Sequence, residues 1–235
     1  MNIFFNENIP QNGLFEMSEE ESKHCIRVLR MQTDNIIGVI DGIGHFAEAK
    51  IIEPNAKHCL LEVISFKTQE RMPYSIHIAV APTKNNDRME WFVEKATEIG
   101  VDEISFLKCR NSERKEIKVE RFNKIALAAI KQCNRLYLPI INEMQSFDSF
   151  ISKNLDAQKF IAYCPVDASL LLNKSYKKSN SVVIVIGPEG DFALEEVKKA
   201  VDNNFSEISL GSYRYRTETA ALAACHTIDI LNQII

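Results

Sequence analysis

Two short glycine-containing segments are the part of the sequence whose residue types and spacing could do chemistry. Residues 187–190 read Gly-Pro-Glu-Gly and follow the apolar run 182–186, and residues 211–220 follow the run 207–210. Small ligands settle beyond the carboxyl ends of strands in α/β sheets, and glycine lets main-chain groups approach a flat ligand. Neither segment is a dinucleotide fingerprint or a phosphate-binding loop. The pair indicates a ligand held mainly by backbone groups, although either segment alone also fits an ordinary turn.

Metal and disulfide chemistry is not indicated. The six cysteines stand singly without a C-x-x-C pair, and the five histidines show no ligand spacing. We therefore expect reduced thiols in a cytoplasmic protein that holds no metal. No apolar run approaches the roughly 18 residues of a membrane span, and the first residues lack the basic and apolar stretches of a secretory signal. We expect neither export nor a membrane partner.

The charge is unevenly distributed along the chain. The formal net charge is -4, but residues 108–135 hold nine basic and three acidic residues. That window is +6, and the rest of the chain is therefore -10. Nucleic-acid affinity comes largely from contacts between basic side chains and phosphates, so the window is a candidate RNA-binding surface. A solvated helix face explains it equally well.

The first seventy residues read as short strands with one helix among them. Ser18 and Glu21 form a capping-box pattern that opens a helix over 19–30. Its helical spacing would place on one face Cys25, Val28 and Leu29. Strands are predicted at 35–40, 46–52 and 59–64, with a turn at Asp41-Gly42, which suits a small β-barrel-like domain. A polar stretch at 69–73 that ends in proline marks the boundary between domains 1–70 and 73–235.

From residue 74 onward strands alternate with helices, which predicts an α/β domain with a mostly parallel sheet. The predicted strands are 76–81, 101–107, 138–141, 160–163, 182–186 and 207–210. The predicted helices are 88–99, closed by Gly100, then 118–135, 193–203 and 217–235.

The ordered set of motifs resembles the small-subunit ribosomal RNA uridine-N3 methyltransferase family of the SPOUT superfamily. The two glycine segments match its knot motifs as Ile186-Gly187-Pro188-Glu189-Gly190, Leu210-Gly211 and Arg216-Thr217-Glu218-Thr219-Ala220. Matches upstream are His24 with Val28-Leu29-Arg30, Lys84 with residues 94–100, Ser112-Glu113-Arg114, and Gln132 with Arg135. Two positions depart from the family pattern: Asp191 replaces a second glycine and Tyr215 an aliphatic residue. Asp191 can serve as the N-cap of the next helix.

The resemblance implies an N-terminal PUA-like RNA-binding β-barrel domain and a C-terminal SPOUT domain with a deep trefoil knot. It implies a homodimer, S-adenosylmethionine as cofactor, and 16S ribosomal RNA within the 30S subunit as substrate. The cofactor would lie among the segment after Tyr163 and the two glycine segments. The implied cofactor-binding residues are Tyr163, Ile186, Gly187, Pro188, Glu189, Gly190, Leu210, Gly211, Arg216, Thr217 and Ala220.

Methylation of uridine at nitrogen-3 requires loss of the proton that this atom carries at neutral pH. Cations beside the flanking carbonyl oxygens favour that loss, and the candidates are Arg114 and Arg216. Glu189 or Glu218 could act as the base, but either carboxylate could equally cap a helix or hold an arginine. The substrate base would have to be unstacked from its helix, because its Watson-Crick edge is hidden while it is paired. The candidate RNA contacts are Lys23, His24, Arg27, Arg30, Lys84, Arg110, Arg114, Gln132 and Arg135.

Two other functions fit the same residues. A related SPOUT enzyme would methylate a ribose hydroxyl or a transfer RNA base, and a non-catalytic RNA-binding assembly factor would keep the fold without the chemistry. Binding of S-adenosylmethionine separates the factor from the enzymes.

Overall fold

Eleven strands in two sheets form the framework of residues 1–164 and 170–233, which are the residues that the computed structural model describes. The chain divides into two units. The first consists of Met1–Arg71 with Leu127–Leu138, and the second of Met72–Ala126 with Pro139–Ile235. The domains expected from the sequence, 1–70 and 73–235, assign residues 127–138 to the second domain, whereas here they group with the first unit.

The first unit is built on a five-stranded mixed sheet in the order β1-β3-β4-β5-β2. The strands are β1 (Ile3–Phe5), β2 (Leu14–Glu16), β3 (Ile36–Ile40), β4 (His45–Glu53) and β5 (Leu60–Thr68). β1 pairs with β3 in parallel, and the other pairs are antiparallel. The core of the unit includes Phe4, Ile37, Val39, Ile51 and Leu61. The three longer strands follow the prediction, but β1 and β2, at three residues each, are too short to give a periodic signal.

The helix predicted over 19–30 is wrong in its second half. α1 covers Glu19–Lys23, and a π-helical turn follows at His24–Val28. Cys25 is fully buried, as the helical spacing predicts, but Val28 is 64% exposed and Leu29 is 40% exposed. A π turn holds more residues than the 3.6 of an α-helix, so the three- and four-residue spacing no longer brings these side chains to one face.

The capping box expected at the start of α1 is only half formed. The Ser18 hydroxyl accepts a hydrogen bond from the Glu21 amide at 3.3 Å. The Glu21 carboxylate instead accepts one from the Lys131 ammonium at 2.5 Å. The carboxylate that would complete the capping box thus joins α1 to residues 127–138 of the same unit.

The second unit is built on a six-stranded, all-parallel sheet in the order β11-β9-β10-β6-β7-β8. The strands are β6 (Ile76–Val80), β7 (Glu103–Lys108), β8 (Ile140–Ser146), β9 (Gln158–Ala162), β10 (Val182–Ile186) and β11 (Ser206–Ile208). The helices are α2 (Asn86–Ile99), α3 (Val119–Cys133), α4 (Phe147–Ile151), α5 (Leu172–Ser175), α6 (Leu194–Asp202) and α7 (Thr217–Gln233). Residues 127–133 of α3 group with the first unit. The α/β class and parallel sheet predicted from the alternation of elements are confirmed.

The best predicted elements are those with continuous patterns. β6 and β10 are buried along their whole length, as their apolar runs require in a parallel sheet. α2 ends at Gly100 in a left-handed conformation with φ of 116°. β8 begins at Ile140 instead of 138, because the Leu138 amide donates to the Gly42 carbonyl at 2.8 Å.

The N-cap predicted at Asp191 is wrong. The Asp191 amide closes a turn by donating to the Pro188 carbonyl at 2.9 Å, and Asp191 adopts a left-handed φ of 61°. The chain then buries Phe192 before α6 begins at Leu194. Ala193 is the N-cap residue, and its amide donates to the Glu196 carboxylate at 2.9 Å. The helix itself begins within one residue of its predicted start at 193, but the turn takes Asp191 out of the N-cap position.

Part of the path that the predicted knot would take lies outside the described residues. The connection between β9 and β10 contains residues 165–169, which the structure does not describe. Beyond that gap, Leu171 pairs with Ser209 next to β11. In the described part of the chain, no helix combines the length and the apolar character that crossing a bilayer requires.

A buried histidine in the parallel sheet makes stability depend on pH. The His77 ring is 6% exposed, lies 2.9 Å from the Ser105 hydroxyl and packs edge-on against Phe150. Burial lowers the pKa of His77 from its ordinary value of 6.5 to about 4, with a smaller opposing effect of Glu103 and a lowering effect of Lys153. The folded protein therefore holds a neutral imidazole at pH 7.

Acidification should destabilise the fold through His77. The unfolded chain takes up the proton near pH 6.5 and the folded chain near pH 4, so the stabilisation is complete above pH 6.5 and is lost as the pH falls to 4. Between pH 7 and pH 5 the expected loss is about 2 kcal/mol, measured by urea unfolding. His77→Asn should reduce this loss, whereas His58→Asn, at a largely exposed side chain, should leave it unchanged. Equal pH dependence in wild type and His77→Asn would contradict the assignment.

Candidate functional site

A cavity of about 440 Å³ lies in the second unit and is formed by three chain segments. They are residues 162–164, residues 186–189 with Asp191, and residues 208–217 with Ala220. This volume is within the range of small-molecule sites. The cavity therefore lies where the two glycine segments meet.

Strand pairing explains why these segments come together. Ile186 at the end of β10 pairs with Ala162 at the end of β9, and Ala162 pairs with Ile208 at the end of β11. Because the three strands are parallel, their last residues form one row, and the chain segments that follow them leave the same edge of the sheet. This is the edge at which ligands bind in open α/β sheets.

The first glycine segment is tightly packed. A Cβ atom on Gly187 would lie 3.0 Å from the buried Phe192 ring, so a larger residue would force the ring to shift. The Glu189 carboxylate accepts a hydrogen bond from the Lys84 amide at 3.3 Å, and the Glu189 carbonyl accepts one from the Arg214 guanidinium at 3.2 Å. The segment is thus held on both sides by residues far away in the sequence.

The second glycine segment is joined to the first by a buried hydrogen bond. The Thr217 hydroxyl donates to the Gly187 carbonyl at 3.0 Å. The Ser209 hydroxyl donates to the Gly211 carbonyl at 3.0 Å, and Gly211 has a φ of 147° that favours glycine. The carboxyl edge of the sheet therefore carries two mutually supported loops of main-chain groups.

Two arginines and one thiol set the polarity of the cavity. Arg214 and Arg216 are both exposed on its wall. Among the described residues the Arg216 guanidinium has no hydrogen bond or ion pair, so this cation is available to a ligand. Burial, and secondarily the charge of Asp191, raise the pKa of the Cys164 thiol, so this thiol is neutral at pH 7 and is a poor nucleophile.

Most of the residues predicted to bind the cofactor lie on the cavity wall, and Gly190 is the exception. The cavity is lined by Tyr163, Ile186, Gly187, Pro188, Glu189, Leu210, Gly211, Arg216, Thr217 and Ala220. Gly190 packs instead against Asn111, whose amide donates to the carbonyls of Gly190 and Asp191 at 3.3 and 3.0 Å. Sequence reasoning missed Arg214 and Tyr213, although both lie inside the segment that it singled out.

Arg114, a predicted catalytic cation, does not line the cavity. Its guanidinium donates to the Thr83 carbonyl at 3.0 Å, to the Lys84 carbonyl at 2.6 Å and to the Asn86 side-chain oxygen. These hydrogen bonds fix the chain between the end of β6 and the start of α2. Glu218 does not line the cavity either. Its buried carboxylate lies 3.7 Å from the Arg88 guanidinium.

The residues predicted to contact RNA are divided between the two units. Lys84, Arg110 and Arg114 belong to the second unit, where Lys84 pairs with Glu113 and Arg110 with Glu195. The first unit contains the remaining candidates, Lys23, His24, Arg27, Arg30, Gln132 and Arg135. All of these first-unit side chains are exposed except Arg135, which is half-buried. The basic window 108–135 is therefore not a single helix face.

The fold and the cavity define a ligand-binding α/β unit accompanied by a small β unit, and comparison with known proteins gives the family. A family model described as an RNA methyltransferase domain matches residues 70–229, and one described as an RNA methyltransferase PUA domain matches residues 18–64. The chain belongs to this RNA methyltransferase family. The PUA-like domain and the methyltransferase domain implied by the sequence motifs are thereby confirmed.

Relatives of known structure and curated relatives agree over nearly the whole chain. A probable rRNA-methyltransferase from Porphyromonas gingivalis is 38% identical, covers 99% of both chains and superposes with a TM-score of 0.89. A putative methyltransferase from Legionella pneumophila, solved with bound S-adenosylmethionine, is 27% identical over 97% of this chain and 96% of that one, with a TM-score of 0.86. The ribosomal RNA small subunit methyltransferase E of Bacillus subtilis is 29% identical over 97% of this chain and 94% of its own length.

Removing the Arg114 guanidinium should destabilise the second unit. Arg114→Met leaves two carbonyls and one amide oxygen without their donor, and the expected loss is about 2 kcal/mol in the free energy of unfolding. The matched control is Arg110→Met, which removes only an exposed ion pair with Glu195 and should cost less than about 0.5 kcal/mol. Urea unfolding followed by circular dichroism measures both variants. Equal stability of the two variants would show that Arg114 does not brace the chain.

Proposed function

We propose that this RNA methyltransferase transfers a methyl group from S-adenosylmethionine to nitrogen-3 of a uridine in 16S ribosomal RNA. The observation that carries the proposal is the cavity at the carboxyl edge of the sheet, where the Thr217 hydroxyl joins the two glycine loops through the Gly187 carbonyl. Curated relatives named as small-subunit ribosomal RNA methyltransferases support the substrate class.

The residues of the cavity fit an adenosine-containing cofactor. Apolar side chains such as Ile186, Ile208 and Leu210 can pack against a purine, and the glycine loops leave main-chain groups free of side-chain bulk. Glu189 and Asp191 supply negative charge near a ligand that carries a sulfonium and an ammonium group. When bound, S-adenosylmethionine supplies an electrophilic methyl group.

Methylation of a uridine needs a cation and a proton acceptor, and the cavity wall offers one residue for each role. The Arg216 guanidinium has no partner among the described residues and is therefore free to stabilise negative charge on a uridine carbonyl oxygen. Arg114 is less suited to that role because its donors are occupied. Glu189 lines the cavity, and among the described residues its carboxylate accepts only a long hydrogen bond from the Lys84 amide, so it can also accept the nitrogen-3 proton.

The proposal also covers the form of the substrate, the oligomeric state and the cellular location. The substrate is the 16S ribosomal RNA within the 30S subunit, the working form is a homodimer, and the protein acts in the cytoplasm, where ribosomes are assembled. Exposed cations in each unit, including Arg27 and Lys84, contact phosphates and fix the register of the RNA.

The buried bond between the two loops should control cofactor affinity. Thr217→Val removes the donor to the Gly187 carbonyl and leaves that acceptor unpaired, which should weaken S-adenosylmethionine binding roughly tenfold. Thr217→Ser keeps the hydroxyl and should bind nearly as wild type. Isothermal titration calorimetry measures all three proteins. Absence of binding to the wild-type protein would overturn the enzyme assignment in favour of an inert RNA-binding factor.

Arg216 should act on the transfer step. Arg216→Ala removes a cation beside the reacting base, and methyl transfer to unmethylated 30S subunits should fall about 100-fold, while S-adenosylmethionine affinity changes much less. Arg216→Lys keeps the charge and should recover part of the rate. The assay is tritium transfer from labelled cofactor followed by nucleoside analysis. An unchanged rate in Arg216→Ala would remove this residue from the mechanism, and a ribose-methylated product would replace the base assignment by a ribose one.

A further inference from the structure

The segment that follows α1 presents an apolar pair to solvent. Cys25, Ile26 and Met31 pack into or against the core of the first unit. Between them, Val28 is 64% exposed and Leu29 is 40% exposed. Isolated exposed apolar residues are ordinary, but here two neighbours are turned outward together at the tip of one turn.

Backbone geometry fixes this outward orientation. The Leu29 amide donates to the His24 carbonyl at 3.0 Å, which is the five-residue bond of a π turn, and the Met31 amide donates to the Cys25 carbonyl at 3.2 Å. Between these bonds Arg30 adopts a left-handed φ of 55°. π turns and left-handed non-glycine residues are unfavourable conformations that concentrate at functional sites. The fold thus maintains a costly geometry that keeps two apolar side chains out of the core.

The surroundings of the pair are positively charged. Lys23, Arg27 and Arg30 are exposed, and none of their side chains has an ion pair or hydrogen bond among the described residues. Residues 22–33 contain no aspartate or glutamate. An apolar tip surrounded by free cations complements a polyanion that also offers apolar faces, and RNA with unstacked bases has both properties.

We propose that Val28 and Leu29 form an apolar wedge that packs against unstacked bases of the RNA substrate, while Lys23, Arg27 and Arg30 contact the flanking phosphates. The inference rests on the proposed function, because it names a contact with the same substrate. Apolar side chains that insert beside bases are a known way to hold distorted nucleic acid. His24 packs edge-on against the buried Phe4 with ring centroids 6.1 Å apart, which anchors the start of the π turn to the core.

The test uses the double variant Val28→Ser/Leu29→Ser in the full chain. Its matched control is Leu14→Ser/Ile64→Ser, which also replaces two side chains of the first unit that are 59% and 51% exposed. The probes are protein-free 16S ribosomal RNA and intact 30S subunits, with affinities measured by filter binding at several salt concentrations. Circular dichroism melting confirms that both variants are folded.

We expect Val28→Ser/Leu29→Ser to bind protein-free 16S ribosomal RNA about tenfold more weakly than the control variant, as for loss of stacking on a base. The slope of log affinity against log salt should not change, because no charge is removed. Arg27→Gln should instead reduce that slope by about 0.7 to 0.9. These two different signatures separate an apolar contact from a phosphate contact.

Three outcomes would overturn the wedge. Equal affinities of the test and control variants for protein-free RNA would do so. A loss seen only with intact 30S subunits would assign the pair to a ribosomal protein instead. A wild-type protein that neither binds this RNA nor methylates 30S subunits would remove the proposed function as well, whereas a wild type that methylates normally, with no effect of Val28→Ser/Leu29→Ser, would remove the wedge alone.

Discussion

Parallel pairing of β10 with β9, and of β9 with β11, determines where the candidate site can form. Ile186, Ala162 and Ile208 are the last paired residues of these strands and lie in one row. Three chain segments therefore leave the sheet at the same edge and enclose a single cavity. The Thr217 hydroxyl then joins two of them through the Gly187 carbonyl. Without the common strand direction, the two glycine segments would have no reason to meet.

A second layer of contacts supports the glycine loop from behind. The Lys84 amide and the Asn111 side chain hold residues 189–191, and the Arg110 amide donates to the Glu196 carboxylate at 2.8 Å. Arg114 in turn holds the chain around Lys84. The two predicted catalytic cations are thus separated, with Arg114 placed behind the loop and Arg216 placed on the cavity wall.

In the first unit, too, a contact between residues far apart in the sequence holds an element in place. Glu21 lies in the first turn of α1, and its carboxylate accepts a hydrogen bond from Lys131, which lies in the part of the chain at 127–138 that groups with this unit. The π turn after α1 then carries Val28 and Leu29 outward. This unit thus combines a five-stranded β sheet with an exposed, basic and partly apolar turn, which suits recognition of single-stranded or distorted RNA.

The sequence by itself determined the elements with strong local patterns, namely β6, β10, α2 with its Gly100 cap, and the two glycine segments that line the cavity. It also determined the family, because ordered short motifs are specific even when each one is weak. Tertiary structure alone decided that Arg114 braces a loop while Arg216 faces the cavity, that Asp191 closes a turn instead of capping α6, and that Val28 and Leu29 point outward. The reason is physical: periodicity and turn propensity act over a few residues, whereas the acceptors of Arg114 lie about thirty residues away in the sequence and only the folded chain brings them within hydrogen-bond distance.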